Sequence, residues 1–188
     1  MGFFSKLSHD EKFELLKIAR KTIAQKLEGN DFQVKPDSEN LNKKAGVFVT
    51  LKKSGQLRGC IGNFSDDEKI YQNVQKMAIS AAFDDPRFNQ LQTDELKEIQ
   101  IEVSVLSGLK PIKAEEIEIG KHGLQLSAGF HRGVLLPQVP VEWGWDKEEY
   151  LNNLCLKAGL PQESWKEKGV MLQAFTAQVF SEKEFHLS

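Results

Sequence analysis

A β-hairpin signal at residues 47–62 constrains the fold of this chain more than any other stretch. The apolar run Val47-Phe48-Val49-Thr50-Leu51 leads through Lys52-Lys53-Ser54-Gly55-Gln56 into the hexapeptide Leu57-Arg58-Gly59-Cys60-Ile61-Gly62. Two such runs across a short Gly-containing connection read as antiparallel strands. Period-2 alternation along the second strand sets Arg58, Cys60 and Gly62 on one face and Leu57, Gly59 and Ile61 on the other. A thiol then stands beside a fixed positive charge, between two residues without side chains. Glycine inside a strand marks a bulge or a close approach to the backbone, and a nearby guanidinium favours the thiolate, the reactive form of cysteine. The expectation is a site in which sulfur and guanidinium face a shared hollow. No reaction follows from it.

The rest of the chain alternates between helical and strand patterns without a regular βαβ order. Ser8 and Glu11 form a capping box ahead of Phe13, Leu16, Ile23 and Leu27 at helical spacing, and Gly29 ends that helix. Asn30 to Lys44 is polar, contains Pro36 and reads as a loop. Ser65 and Glu68 make a second capping box before Ile70, Val74, Met77, Ala78 and Ala81, a helix that stops near Asp84-Asp85-Pro86 because the residue before proline disfavours helix. A connector from Asn89 to Glu98 precedes the cleanest strand, with Ile99, Ile101, Val103 and Val105 on one face and Gln100, Glu102 and Ser104 on the other. Glu115 to Ile119 alternates weakly. His122–Ser127 and Val134–Leu136 form a second hairpin pattern, and Pro137-Gln138-Val139-Pro140 opens a loop that carries Trp143 and Trp145. Asp146 and Glu149 cap a third helix with Leu151, Leu154, Cys155 and Ala158 on one stripe, and Val170 to Phe180 reads as a last strand. The pattern indicates an α+β fold, a mostly antiparallel sheet flanked by helices, in a single domain over residues 1–188.

Charge and cysteine content exclude several classes. Charged residues make up 28% of the chain and nearly cancel, leaving a formal net charge of −2, whereas a dedicated nucleic-acid binder carries a basic excess. Cys60 and Cys155 lie far apart with no CxxC, which argues against a disulfide scaffold, a structural zinc site or an iron–sulfur cluster of its own. His9, His122, His131 and His186 are scattered, with no HExxH, so no metal site is expected. No phosphate-cradling loop or dinucleotide fingerprint is present, and no cofactor is expected. Residues Met1 to Ser8 lack a secretory pattern, Lys6 stands where a myristoylation motif needs Ser or Thr, and no apolar run reaches the length of a membrane span. The expected location is the cytoplasm.

Each candidate residue has a structural and a functional reading. Cys60 is a small buried hydrophobe, or a nucleophile whose pKa Arg58 lowers. A nucleophile needs a base, for which His122 is the first candidate and His131 the second. Cys155, on a buried helical stripe, is core. Arg58, Arg87 and Arg132 form a set for gripping an anion, or each pairs with a nearby acid such as Asp84, Asp85 or Glu102. Glu102 is a solvated strand residue, or the partner of Arg58 on a cleft floor. Gln138 offers its amide to a ligand or to loop backbone, and Trp143 and Trp145 either make a stacking surface or cap the core.

These segments, taken in order, resemble the AMMECR domain family. The matching stretches are Gly46 to Leu51, Leu57 to Gly62, Asp85-Pro86-Arg87-Phe88, Ile101 to Leu106, His122-Gly123-Leu124, Leu135 to Val139, Trp145-Asp146, Cys155 to Leu160 and Phe175 to Phe180, spanning roughly Glu11 to Glu182. The resemblance implies a two-lobed α+β fold with a cleft near the hexapeptide, association with Memo-like or radical-SAM-like proteins, and no established reaction. Three functions compete. The first is an enzyme or enzyme subunit acting on a small anionic or nucleotide-like substrate, with Cys60, Arg58 and His122 in catalytic roles and Gly59, Gly62, Arg87, Glu102, Arg132 and Gln138 binding it. The second is a non-catalytic module that docks on such a partner through Pro137 to Trp145. The third is RNA or DNA binding through a stripe of Lys52, Lys53 and Arg58.

Overall fold

The 47–63 segment forms the expected hairpin, and most of the first unit is built around it. A computed structural model describes residues 6–64 and 67–185. Strands β1 (Val47–Lys53) and β2 (Gln56–Asn63) are joined by Ser54 and Gly55, with φ of 51° and 79°, the pair of positive angles that suits a two-residue hairpin turn. β1 also pairs antiparallel with β3 (Ile99–Leu106), and the sheet runs in the order β2-β1-β3-β8, where β8 is Ala177–Ser181. Val47, Val49 and Leu51 share a face with Ile101, Val103 and Val105, and all six are buried.

Two helices belong to that apolar face. α1 (His9–Leu27) starts at the Ser8 cap, where Ser8 Oγ accepts from the Glu11 N–H at 3.2 Å and a Glu11 carboxylate oxygen accepts from the Ser8 N–H at 2.7 Å. Its Leu15, Leu16, Ala19 and Ile23 join Ile70, Val74, Ala78 and Ala81 of α2 (Ile70–Phe83) in one core. α2 begins later than Ser65 and Glu68 suggest: its N-cap is Lys69, which makes no side-chain cap bond. Ser65 itself lies outside the described residues. The connector after α2 holds a short 3-10 turn, Thr93–Lys97.

The second unit, Ser107–Ala177, has its own sheet in the order β4-β7-β5-β6. These strands are β4 (Lys110–Pro111), β5 (Gly123–Ala128), β6 (His131–Leu135) and β7 (Met171–Phe175). The Asp146 and Glu149 capping box starts α4 (Lys147–Lys157), whose Tyr150, Leu151, Leu154 and Cys155 pack with Leu124 and Leu126. In the weakly alternating stretch, Ala114–Glu116 forms a 3-10 turn, and the Glu116 carboxylate accepts from the Lys113 N–H at 2.8 Å. Two expectations are corrected. Pro137 opens a short helix, α3 (Gln138–Trp143), as proline's fixed φ of −59° permits. Val170 to Phe180 is two strands, β7 and β8, which join different sheets.

Among the described residues no helix is long and apolar enough to cross a membrane.

Candidate functional site at the hexapeptide strand

A β-bulge decides where the hexapeptide side chains go. From the turn, Lys53 faces Gln56 and Lys52 faces Leu57, but Leu51 faces Gly59, leaving Arg58 as an extra residue. Bulges interrupt alternation and re-aim a side chain. The even alternation expected for Arg58, Cys60 and Gly62 therefore fails at Arg58. Its guanidinium is carried to Glu95, donating from Nε at 3.0 Å and from Nη2 at 2.8 Å. The same bulge moves the register by one residue, so that Thr50 rather than Val49 faces Cys60, and Thr50 Oγ1 lies 3.2 Å from Cys60 Sγ.

Both hexapeptide glycines have packing reasons. A Cβ on Gly59 would stand 2.1 Å from the carbonyl oxygen of Ala81, so the residue is where α2 approaches the strand. A Cβ on Gly62 would stand 2.2 Å from the Phe48 ring that covers it. The hollow expected between two side-chain-free positions is filled by a helix backbone on one side and an aromatic ring on the other.

β2 is the outermost strand of its sheet, which leaves the outward backbone groups of Cys60 without a strand partner. The Asp85-Pro86-Arg87 turn supplies one. Asp85, nearly fully buried, accepts from the Cys60 N–H at 2.9 Å, and Arg87 Nη2 donates to the Cys60 carbonyl at 3.2 Å. Asp85 also accepts from Arg87 Nε at 2.9 Å and Nη2 at 2.7 Å. These donors hold the Asp85 carboxyl well below the usual carboxylate range.

The electrostatics of Cys60 differ from the expectation. Burial pushes its thiol up, and the Thr50 hydrogen bond and the charge of Arg87 pull it partly back, while Asp85 and Glu102 oppose them. The cation that acts on the sulfur is Arg87, because Arg58 is spent on Glu95, whose carboxyl it helps depress to about 2. Glu102 pairs with Lys52 at 3.0 Å rather than with Arg58. Lys53 bridges Glu95 at 3.3 Å and Glu98 at 2.9 Å, so the basic stripe Lys52-Lys53-Arg58 is neutralised by acids.

Beside β2 lies a groove of about 820 Å³ lined by Arg58, Pro86, Arg87, Phe88, amide side chains and Glu95. The guanidinium carbons of Arg58 and Arg87 lie 6.0 and 5.4 Å from the Phe88 ring centroid. Both arginines grip their carboxylates through Nε and Nη2, and among the described residues the buried Arg58 Nη1 finds no acceptor. Cys60 does not line this groove.

The remaining candidates sit in the second unit. His122 Nδ1 accepts from the Glu118 N–H at 3.1 Å, His131 Nδ1 is 3.1 Å from the Ala158 carbonyl, and Arg132 is exposed on β6. Gln138 starts α3, and its buried Oε1 finds no donor among the described residues. His186 lies outside the described residues. Among the described residues no three His, Cys, Asp or Glu side chains gather to hold a metal ion. The sequence reading missed Thr50, Phe88 and Glu95. Phe88 had a signal in the Asp85-to-Phe88 motif; Thr50 and Glu95 depend on the bulge and carried none.

Comparison with known proteins finds relatives of this chain. The sequence model of the family described as AMMECR1 matches residues 16–180. Protein MK0488 of Methanopyrus kandleri is 45% identical over 190 residues, covering 95% of this chain and 92% of the relative. Protein NEQ441 of Nanoarchaeum equitans is 43% identical over 89% of this chain and 98% of its own length. The crystal structure of uncharacterized protein PH0010 from Pyrococcus horikoshii superposes with a TM-score of 0.85 at 38% identity, covering 90% of each chain.

Proposed function

The chain belongs to the AMMECR1 family, and we propose that it is an enzyme or enzyme subunit that binds a small anionic, nucleotide-like ligand in the Arg58–Phe88–Arg87 groove. One observation carries this reading. Two guanidiniums converge on one aromatic ring, each already fixed by a carboxylate, and among the described residues Arg58 Nη1 has no acceptor. A pre-oriented guanidinium meets an anionic oxygen with little loss of side-chain freedom, and Phe88 with its neighbouring amides suits a flat polar ring. The groove volume lies in the range of small-ligand sites. Cys60 enters as a thiol bonded to Thr50 on a backbone held by the Asp85–Arg87 clamp, and burial raises its pKa away from the thiolate. The base expected in His122 has its Nδ1 occupied by its own turn.

Calorimetric titration of the full chain with ADP, AMP and inorganic phosphate tests the reading. Saturable binding of a nucleotide is expected, weakened about tenfold or more in Arg87→Gln. A wild type that takes none of the three, or an Arg87→Gln chain that binds equally well, overturns it.

A second reading has its own support. Val141 and Trp143 are 58% and 71% exposed, and Trp143 stacks on Trp145 at 6.0 Å, which suits docking on a Memo-like or radical-SAM-like protein. Co-purification with wild type and with Trp143→Ala tests it; an unchanged set of partners counts against that surface.

A further inference from the structure

Residues 31–36 alternate: Asp31, Gln33 and Lys35 are exposed, Phe32 and Val34 are half-buried, and Pro36 is buried. Outside any helix or strand, residues 31–35 make no backbone–backbone hydrogen bond among the described residues. Their main chain is held by Gln75, whose Nε2 donates to the Phe32 carbonyl at 2.7 Å. This strap leaves a cavity of about 320 Å³ lined by Phe13, Ile18, Phe32 and Val34, with Glu14, Lys17 and Lys21 completing the wall. A second cavity of about 320 Å³ also borders Phe32.

Lys17 and Lys21 stand one turn apart on α1. Their ammonium groups lie 5.4 Å from the Phe13 centroid and 5.9 Å from the Phe32 centroid, and neither makes an ion pair among the described residues. Long lysine stems cover apolar surface while the charge stays at the rim. With Glu14 as the one acid in the lining, the rim keeps a positive excess. An apolar pocket with a few convergent polar groups is the usual form of a small-ligand site.

We propose that this pocket binds the free anion of a medium-chain carboxylic acid, its chain against Phe13, Ile18, Phe32 and Val34 and its carboxylate between Lys17 and Lys21. The volume holds about ten water-sized groups at roughly 30 Å³ each, which fits one alkyl chain of about that many carbons. The site is a concave pocket beneath a strap, not a flat apolar face, so it takes one molecule and not a bilayer surface.

The test is calorimetric titration of the full chain with decanoate below its micelle concentration, with decanol as the neutral control. Saturable decanoate binding is expected, with decanol about tenfold weaker or more, and slower amide exchange at residues 31–35 in the complex. The exposed double substitution Lys17→Gln/Lys21→Gln, checked for folding by circular dichroism, weakens decanoate binding by a similar factor and more at low salt than at high salt. Arg87→Gln, in the other groove, leaves it unchanged. Absence of saturable binding, equal binding of decanol, full binding by the double variant, or association with anionic vesicles alone overturns the proposal.

Discussion

Asp85 gathers more of the candidate site than any other side chain. It takes the outward N–H of Cys60 and the forked guanidinium of Arg87, and Arg87 returns a bond to the Cys60 carbonyl. Asp85→Asn removes the charge but not the volume. It leaves Arg87 without its counter-ion and is expected to cost ~1–3 kcal/mol, an amount held down because Arg87 is half exposed. Asp85 and Glu95 both have depressed pKa values when folded, Glu95 at about 2. Their contribution is therefore complete above the ordinary carboxylate range and is lost as pH falls through the folded values. Denaturation midpoints measured from neutral pH downward should fall less steeply in Asp85→Asn than in wild type. Cys60 runs the other way. Its raised pKa makes iodoacetamide alkylation slow at neutral pH and delays its rise beyond that of a free thiol, and Thr50→Val, which removes a stabilising bond to the thiolate, moves the profile higher still. A rate profile that matches a simple peptide thiol contradicts this.

At the scale of elements, the bulge in β2 and the approach of α2 determine the site together. Gly59→Ala places a methyl 2.1 Å from the Ala81 carbonyl, which belongs to helix backbone and cannot rotate away. The expected cost is ~3 kcal/mol, seen as a lower denaturation midpoint. Equal stability in Gly59→Ala means that the helix can shift freely, and the close approach then explains nothing. The hairpin itself was legible because an apolar run, a Ser-Gly turn and a second run are all local. The bulge was not legible. An unbroken two-residue hairpin sets Thr50 opposite Gly59, whereas the real pairing sets it opposite Cys60. Arg58 likewise finds Glu95, 37 residues away, and no spacing rule joins those two positions.

At the scale of the molecule, the first unit takes its chain from both ends: the segment to Leu106 and that from Gln178 onward. Glu182, fully buried, ties the second piece in. It accepts from Arg20 Nη2 at 2.6 Å and from the Ile101 N–H at 2.8 Å, and Arg20 also donates to the Leu96 and Ile99 carbonyls. Glu182→Ala leaves a buried guanidinium edge and a strand N–H unpaired, and should lower stability by ~3 kcal/mol in chemical denaturation. A loss no larger than that of an exposed glutamate contradicts the assignment. The closure through Glu182 explains why Val170 to Phe180 misread as one strand: an eleven-residue apolar pattern carries no mark of the point where the chain leaves one sheet for another. By itself the sequence determined α1 with its Ser8 box, the first hairpin, β3, the body of α2, the Asp146-capped α4 and the family, because capping, turn chemistry and periodicity act within a few residues. Only the tertiary structure decided which cation serves Cys60, what fills the space beside Gly59 and Gly62, and where the open groove lies, because each depends on groups brought together across tens of residues by the register of a sheet.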